Sequence, residues 1–244
     1  MHTLKSPIPV QRSRTAVPAV IPPARPHPQP SPRAIQQMLD LVRDHLDMDV
    51  AFVAEFVGGQ RVLRWVSAAN DDAGFTPGRL DPMEETSCHG IVAGTLDPMV
   101  PNAALDPRAQ PRAAGSTFAT GARIGAPIRL ESGHVYGTLC AFRRTPDHTL
   151  RERDLKFVRF MAALVAERLD ADHARESAQA ALRGRLREVM AAGDPGIVYQ
   201  PIAALNSGTI VGYEALARFH SEPVRTPDVW FAEAKDAGLQ EDLE

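Results

Sequence analysis

The stretch "ARIGAPIRLESGHVYGTLCAFRR", residues 122–144, decides the fold. Two runs rich in apolar residues, 122–130 and 135–144, flank "ESGH", a polar segment whose glycine suits a chain reversal. This spacing predicts a β-hairpin. Its strands carry little polar alternation, so both faces need cover and the hairpin belongs in the middle of a sheet.

Working outward, "VAFVAEFV" (50–57) and "RVLRWVS" (61–67) lie either side of "GGQ" and predict a second hairpin in the same antiparallel sheet. Ahead of it, Ser31 is a candidate N-cap with Pro32 at the first helical position. Ile35, Met38, Leu39, Val42 and Leu46 follow at helical spacing, which predicts an amphipathic helix to about Asp47. Between the hairpins, residues 84–94 predict a short helix ending at Gly94, and residues 102–121 read as loop with one helical turn.

From Thr149 to about Gly193 the pattern is helical. Leu155, Val158, Met161, Ala162, Val165 and Leu169 form one stripe that can pack on the sheet. "DADHARESAQAA" (170–181) is almost free of large apolar residues before Leu182, Leu186 and Val189 resume, so the middle must bridge through solvent. Gly193, Asp194, Pro195 and Gly196 end the run ahead of a strand at Ile197. The predicted organisation is a Pro-rich disordered leader (1–30), a folded α+β domain (31–170), a helical connector (171–192) and a further segment (193–244).

Composition limits the function classes. The leader holds Pro7, Pro9, Pro18, Pro22, Pro23, Pro26, Pro28 and Pro30 and no periodic apolar pattern, too little to offset chain entropy. At 44% hydrophobic the rest can build a core, and a net charge of −3 gives no general drive towards DNA or membrane. No run is long enough for a membrane span, and the apolar stretch "AVPAVIPP" is broken by prolines, so a cytoplasmic protein is expected. Two cysteines, Cys88 and Cys140, are too few for a disulfide scaffold.

The order helix, hairpin, helix, hairpin, helix over residues 31–170, with "EETSCHGIVAGTLDPMVPNAALDPR" (84–108) before "IGAPIRLESGHVYGTLCAF" (124–142), resembles a GAF domain, the sensing and dimerising module of many signalling proteins. The resemblance implies a central antiparallel sheet, helices on one face for homodimerisation and a ligand pocket on the other. It leaves the ligand unknown. The "NKFDE" string of cyclic-nucleotide-binding GAF domains does not occur.

The adjacent pair Cys88 and His89 is similar to bilin attachment sites of phytochrome-like photoreceptors, although the flanking residues follow a different pattern. A haem or redox role for Cys88, His89 or Cys140 is a second reading. The default for a cysteine on a short amphipathic helix is burial as a small packing residue.

In "TIVGYEALARF" (209–219), strand alternation puts Glu214, Leu216 and Arg218 on one face and Tyr213, Ala215 and Ala217 on the other. Taken alone, the carboxylate and guanidinium could be a salt-bridged strand face. "YQPI", the turn "NSG" and "VGYEALARF" resemble the start of an EAL domain, the phosphodiesterase that opens cyclic di-GMP to pGpG. "LRGRLREVMAAG" (182–193) and "PDVWFAEAKDAGL" (227–239) resemble the helices before and after that strand pair.

The resemblance implies that Glu214 is a ligand of a catalytic Mg2+ or Mn2+, that Arg218 contacts a substrate phosphate, and that Gln200 and Leu216 contact the dinucleotide. Hard cations take carboxylate oxygen, and an arginine fork matches phosphate. In a TIM-like barrel such residues sit at the C-terminal ends of strands. The family's further Asn, Glu, Asp and Lys residues fall beyond the matched segment, so the EAL portion is expected to be incomplete and, as given, without activity. Residues 197–244 should also expose apolar faces. The alternative is a non-catalytic GAF protein carrying a degenerate EAL remnant.

Overall fold

The computed structural model describes residues 32–69, 74–106, 108 and 120–243. The leader, Ser31 and most of the 107–119 loop lie outside these residues. Helix α1 (Pro32–His45) leads into strands β1 (Val50–Val57) and β2 (Gln60–Ala68). A short β3 (Leu80–Pro82), a 3-10 turn (Met83–Glu85), α2 (Ser87–Val92), β4 (Met99–Val100) and a 3-10 turn (Ala103–Leu105) follow. Strands β5 (Ala122–Arg129) and β6 (Val135–Arg143) precede the long α3 (Glu152–Ala191). The chain then forms β7 (Gly196–Ala203), β8 (Ile210–Arg218), α4 (Pro227–Ala237) and α5 (Gln240–Leu243).

The two predicted hairpins join through antiparallel pairing of β1 with β6, giving the sheet order β3-β2-β1-β6-β5-β4. The join demands close approach: a Cβ on Gly137 would stand 1.9 Å from the Ala54 carbonyl oxygen. On one face, Ile35, Leu39 and Val42 of α1 and the α3 stripe Leu155, Val158, Met161, Val165 and Leu169 pack on Ile124, Ala126, Ile128 and Leu139. That stripe is therefore spent within the protomer rather than left for a dimer contact; Leu41 and Phe160 remain 53% and 60% exposed. On the other face, Phe52, Leu63, Phe75, Cys88, Cys140 and Phe142 form a second core, with Phe52 and Phe142 edge to face at 5.2 Å.

Strand β2 departs from simple alternation. Val53 pairs with Trp65 and Ala54 with Leu63, so Arg64 is an extra, bulged residue. Leu63 therefore faces the α2 side, while Trp65 turns into the helix-side core. Arg64 pairs with the buried Glu55.

The helix expected over 84–94 is shorter and broken. Thr86 adopts an extended conformation and caps α2, its Oγ1 accepting from the His89 N–H at 3.3 Å, which separates the 3-10 turn from the α-helix. Gly94 closes this segment with φ of 70°.

Helix α3 runs unbroken for 40 residues, or about 60 Å at the usual rise. Its start is capped by Asp154, which accepts from the Arg151 N–H at 2.7 Å. Residues 173–181 bury nothing apolar, as the sequence requires of a solvent-bridging segment. Burial resumes at Leu186 and Val189, which pack with Trp230, Ala234 and Ala237 of α4 in a small separate core. Phe219 stacks on Trp230 at 5.3 Å, and Arg183 donates to the Ala237 carbonyl at 2.8 Å. No helix among the described residues is long and apolar enough to cross a membrane.

Candidate functional site

The first candidate region lies between α2 and the sheet. Cys88 projects from the first turn of α2 into the core, and Cys140 rises from the middle of β6, where it pairs with Phe52 and Gly125. Both sulfurs are buried and lie 3.7 Å apart. The Cys140 thiol also reaches Thr138 Oγ1 at 3.4 Å.

Two buried arginines share this face. Arg61 ends 3.7 Å from the Cys88 sulfur and is paired with Asp81, which Arg79 also contacts at 3.1 Å. Arg123 donates one Nη to the Asp97 carbonyl at 2.8 Å; among the described residues its Nε and other Nη meet no hydrogen-bond partner. Burial opposes the charge of both. For Arg61, Cys88 and Asp81 outweigh that penalty and raise the pKa, whereas desolvation lowers that of Arg123. Cys88 is the more acidic thiol: a hydrogen bond from Cys140 lowers its pKa, burial works against this, and the Arg61 charge adds to the lowering. Cys140 is pushed up by that same bond, by burial and by the charge beside it.

His89 does not join Cys88. Adjacent residues on a helix diverge by about 100°, and His89 lines a cavity of 240 Å3 on the outer side of α2 with Glu84, Glu85, Thr86 and Arg108. A larger cavity of 380 Å3 sits on the opposite side of the sheet, where Trp65, Tyr136 and His134 meet Leu169 and His173 of α3. Burial and the nearby Glu55 raise the Tyr136 pKa, so its hydroxyl stays protonated.

The second candidate region is the β7–β8 hairpin. Gln200 pairs with Glu214, Val198 with Leu216 and Gly196 with Arg218, so the four residues singled out from sequence share one face. Glu214, Arg218 and Gln200 are exposed and Leu216 is half-buried. Arg218 donates to the Ala217 carbonyl at 2.8 Å. On both faces apolar side chains meet solvent, among them Ile197, Tyr199, Ile202, Val211 and Tyr213. The base of the hairpin is tied by Asp194, whose carboxylate accepts from the backbone N–H of His220 and of Ser221 at 2.8 Å each.

Glu214 and Gln200 offer hard oxygen donors suited to Mg2+ or Mn2+. Such ions take about six oxygens, so this face supplies one edge of a site and not a whole one. Among the described residues, no group of three or more His, Cys, Asp or Glu side chains is placed to hold a metal ion.

Sequence reasoning singled out Cys88 and Cys140 separately and missed Arg61, Arg123 and Asp81. The signal available for the arginines was their position inside strands with apolar neighbours, which forces a charged side chain into a packed layer.

The GAF domain from an Acinetobacter phosphoenolpyruvate-protein phosphotransferase superposes with a TM-score of 0.49 at 15% identity, covering 62% of this chain and 87% of that one. The blue-light absorbing form of the PixJ GAF domain of Thermosynechococcus elongatus gives 0.49 at 16% identity, covering 63% and 93%. The free methionine-R-sulfoxide reductase of Neisseria meningitidis gives 0.48 at 12%, covering 59% and 80%. No curated protein matches the chain. The GAF domain family matches residues 32–169, the span that builds the six-stranded sheet and its covering helices, and the chain belongs to that family.

Proposed function

We propose that this chain is a cytoplasmic, homodimeric signalling protein in which the GAF sensor is coupled through α3 to an EAL module. In complete form that module hydrolyses cyclic di-GMP to pGpG with Mg2+ or Mn2+. The observation that carries the reading is the register of β7 and β8, which gathers Gln200, Glu214, Leu216 and Arg218 on one solvent-facing surface. A carboxylate beside an amide suits a hard cation, and a guanidinium on the same face suits a phosphodiester. The unbroken α3 supports coupling, since it carries the sheet-covering stripe at one end and the seat of α4 at the other.

Residues 1–244 by themselves should not turn over cyclic di-GMP, because one carboxylate cannot hold and polarise a hydrolytic metal centre. In a protein carrying this chain within a complete EAL domain, Glu214→Ala should abolish metal-dependent pGpG formation. Arg218→Ala should chiefly weaken substrate binding, with turnover falling on the order of tenfold to a thousandfold. Full activity without Glu214 overturns the proposal.

The compatible second reading is a non-catalytic GAF protein. The exposure of apolar residues on both faces of the hairpin is what a remnant would show. Binding of cyclic di-GMP without turnover in the larger protein would favour it.

A further inference from the structure

The two sulfurs of the α2 core are 52 residues apart in sequence and 3.7 Å apart in space. Several features set the contact. Cys140 leans over Gly125, where a Cβ would come within 2.7 Å of its sulfur, so the glycine clears the slot that the thiol occupies. Cys88 enters from the opposite wall on a helix fixed by the Thr86 cap. The Arg61 guanidinium lies 3.7 Å from the Cys88 sulfur and so favours its anionic form. Forming a disulfide bond would require the sulfurs to close by roughly 1.6 Å.

We infer that Cys88 and Cys140 form a reversible thiol-disulfide pair in which Cys88 is the peroxide-reactive nucleophile and Cys140 the resolving thiol.

The Cys88 thiolate attacks one oxygen of a hydroperoxide. The S–O bond forms as the O–O bond breaks, and the leaving oxygen departs as an alcohol, or as water from hydrogen peroxide, after taking a proton. The Cys140 sulfur then attacks the sulfenic sulfur; the S–S bond forms, the S–O bond breaks, and hydroxide leaves with the Cys140 proton as water. Two thiols have lost two electrons to one peroxide. The lower pKa of Cys88 and the higher pKa of Cys140 agree with this division of roles. Complete burial of both sulfurs disfavours a bulky disulfide such as oxidised glutathione as the oxidant more than it disfavours hydrogen peroxide. The product would lock α2 to the central strand β6, giving the sensor an input separate from the 240 Å3 and 380 Å3 cavities.

The test uses the full chain, reduced, freed of reductant and treated with stoichiometric hydrogen peroxide, then unfolded, alkylated, digested and read by mass spectrometry. The expected product is an intrachain peptide pair linking Cys88 to Cys140, lighter by two hydrogens and restored by dithiothreitol. Oxidised glutathione should give it at least tenfold more slowly. In Cys140→Ser, dimedone should trap a sulfenic acid on Cys88; in Cys88→Ser, Cys140 should resist oxidation. Both thiols still alkylated after peroxide, a sulfinic acid without the cross-link, or a link between two chains would overturn the inference. A dimedone adduct on Cys140 would overturn the assigned roles.

Discussion

Arg61 and Asp81 form an ion pair under α2 with side chains only 8% and 4% exposed. Asp81 compensates the buried Arg61 charge, and Arg79 shares the same carboxylate. Asp81→Ala should therefore cost about 3–5 kcal/mol, since breaking one side of a buried pair leaves the other desolvated and unmatched. Urea unfolding of the variant beside the parent chain measures it, and a difference under 1 kcal/mol would show the pair to be dispensable.

The same carboxylate sets an acid limit on stability. Burial pushes the Asp81 pKa up, but hydrogen bonds from Arg61 and Arg79 outweigh it, so the folded value lies below the unfolded one of about 3.9. A depressed folded pKa contributes stability that is whole above the unfolded value and lost as pH falls through the folded one. The gap in urea midpoint between the parent and Asp81→Asn should accordingly be flat from neutral pH to about pH 5 and shrink below pH 4.

Two glycines should respond with opposite sign. Gly137→Ala would drive a methyl into the Ala54 carbonyl at the β1–β6 junction, and a loss above about 3 kcal/mol, or failure to fold, is expected. Gly184, inside α3, has open space around the Cβ position, so Gly184→Ala should stabilise by about 0.5–1 kcal/mol through helix propensity. Thermal melts of both variants decide the matter.

How far these features could be read from sequence depended on their range. Helix α1 was legible from its local period of 3.6, both hairpins of the main sheet from apolar runs either side of short glycine turns, the polar middle of α3 from its want of large apolar residues, and the α4 segment from the EAL resemblance. Strands β3 and β4, of three and two residues, are too short to carry any period. The face exchange of Trp65 was hidden by one bulged residue, Arg64, which no alternation rule anticipates. The meeting of Cys88 with Cys140 depends on α2 folding back over β6, a tertiary event with no local signature. On the hairpin, the shared face of Glu214, Leu216 and Arg218 followed from alternation alone, while the place of Gln200 opposite Glu214 needed the register.

Homodimerisation, if it uses α3, must rely on its outer surface, since the apolar stripe is already buried against the sheet. Phe160 is the large apolar side chain left facing outward there, 60% exposed. Light scattering at micromolar concentration should give twice the 26.5 kDa chain mass, and Phe160→Glu should return it to the monomer. A monomeric parent chain would refute the assembly.

Asp194 ties the entry of β7 to the exit of β8. Hydrogen bonds from Ser221 and His220 hold its carboxyl well below the usual carboxylate range. Asp194→Ala should speed amide hydrogen exchange at His220 and Ser221 at least tenfold, with β1–β6 unaffected. Unchanged exchange would mean that the strands, not the carboxylate, hold the hairpin closed.

The polar middle of α3 has a mechanical consequence. Between Leu169 and Leu182 no apolar contact fixes the rod from the side, so the azimuth of the Trp230 seat about the helix axis is set by residue count alone. Deleting one residue from 173–181 would swing that seat by about 100° and draw it in by about 1.5 Å, whereas deleting seven would leave its phase within about 20° of the original. A ladder of such deletions would make any output that travels along α3 oscillate with the helical pitch, while an output that bypasses the rod would decline smoothly with length.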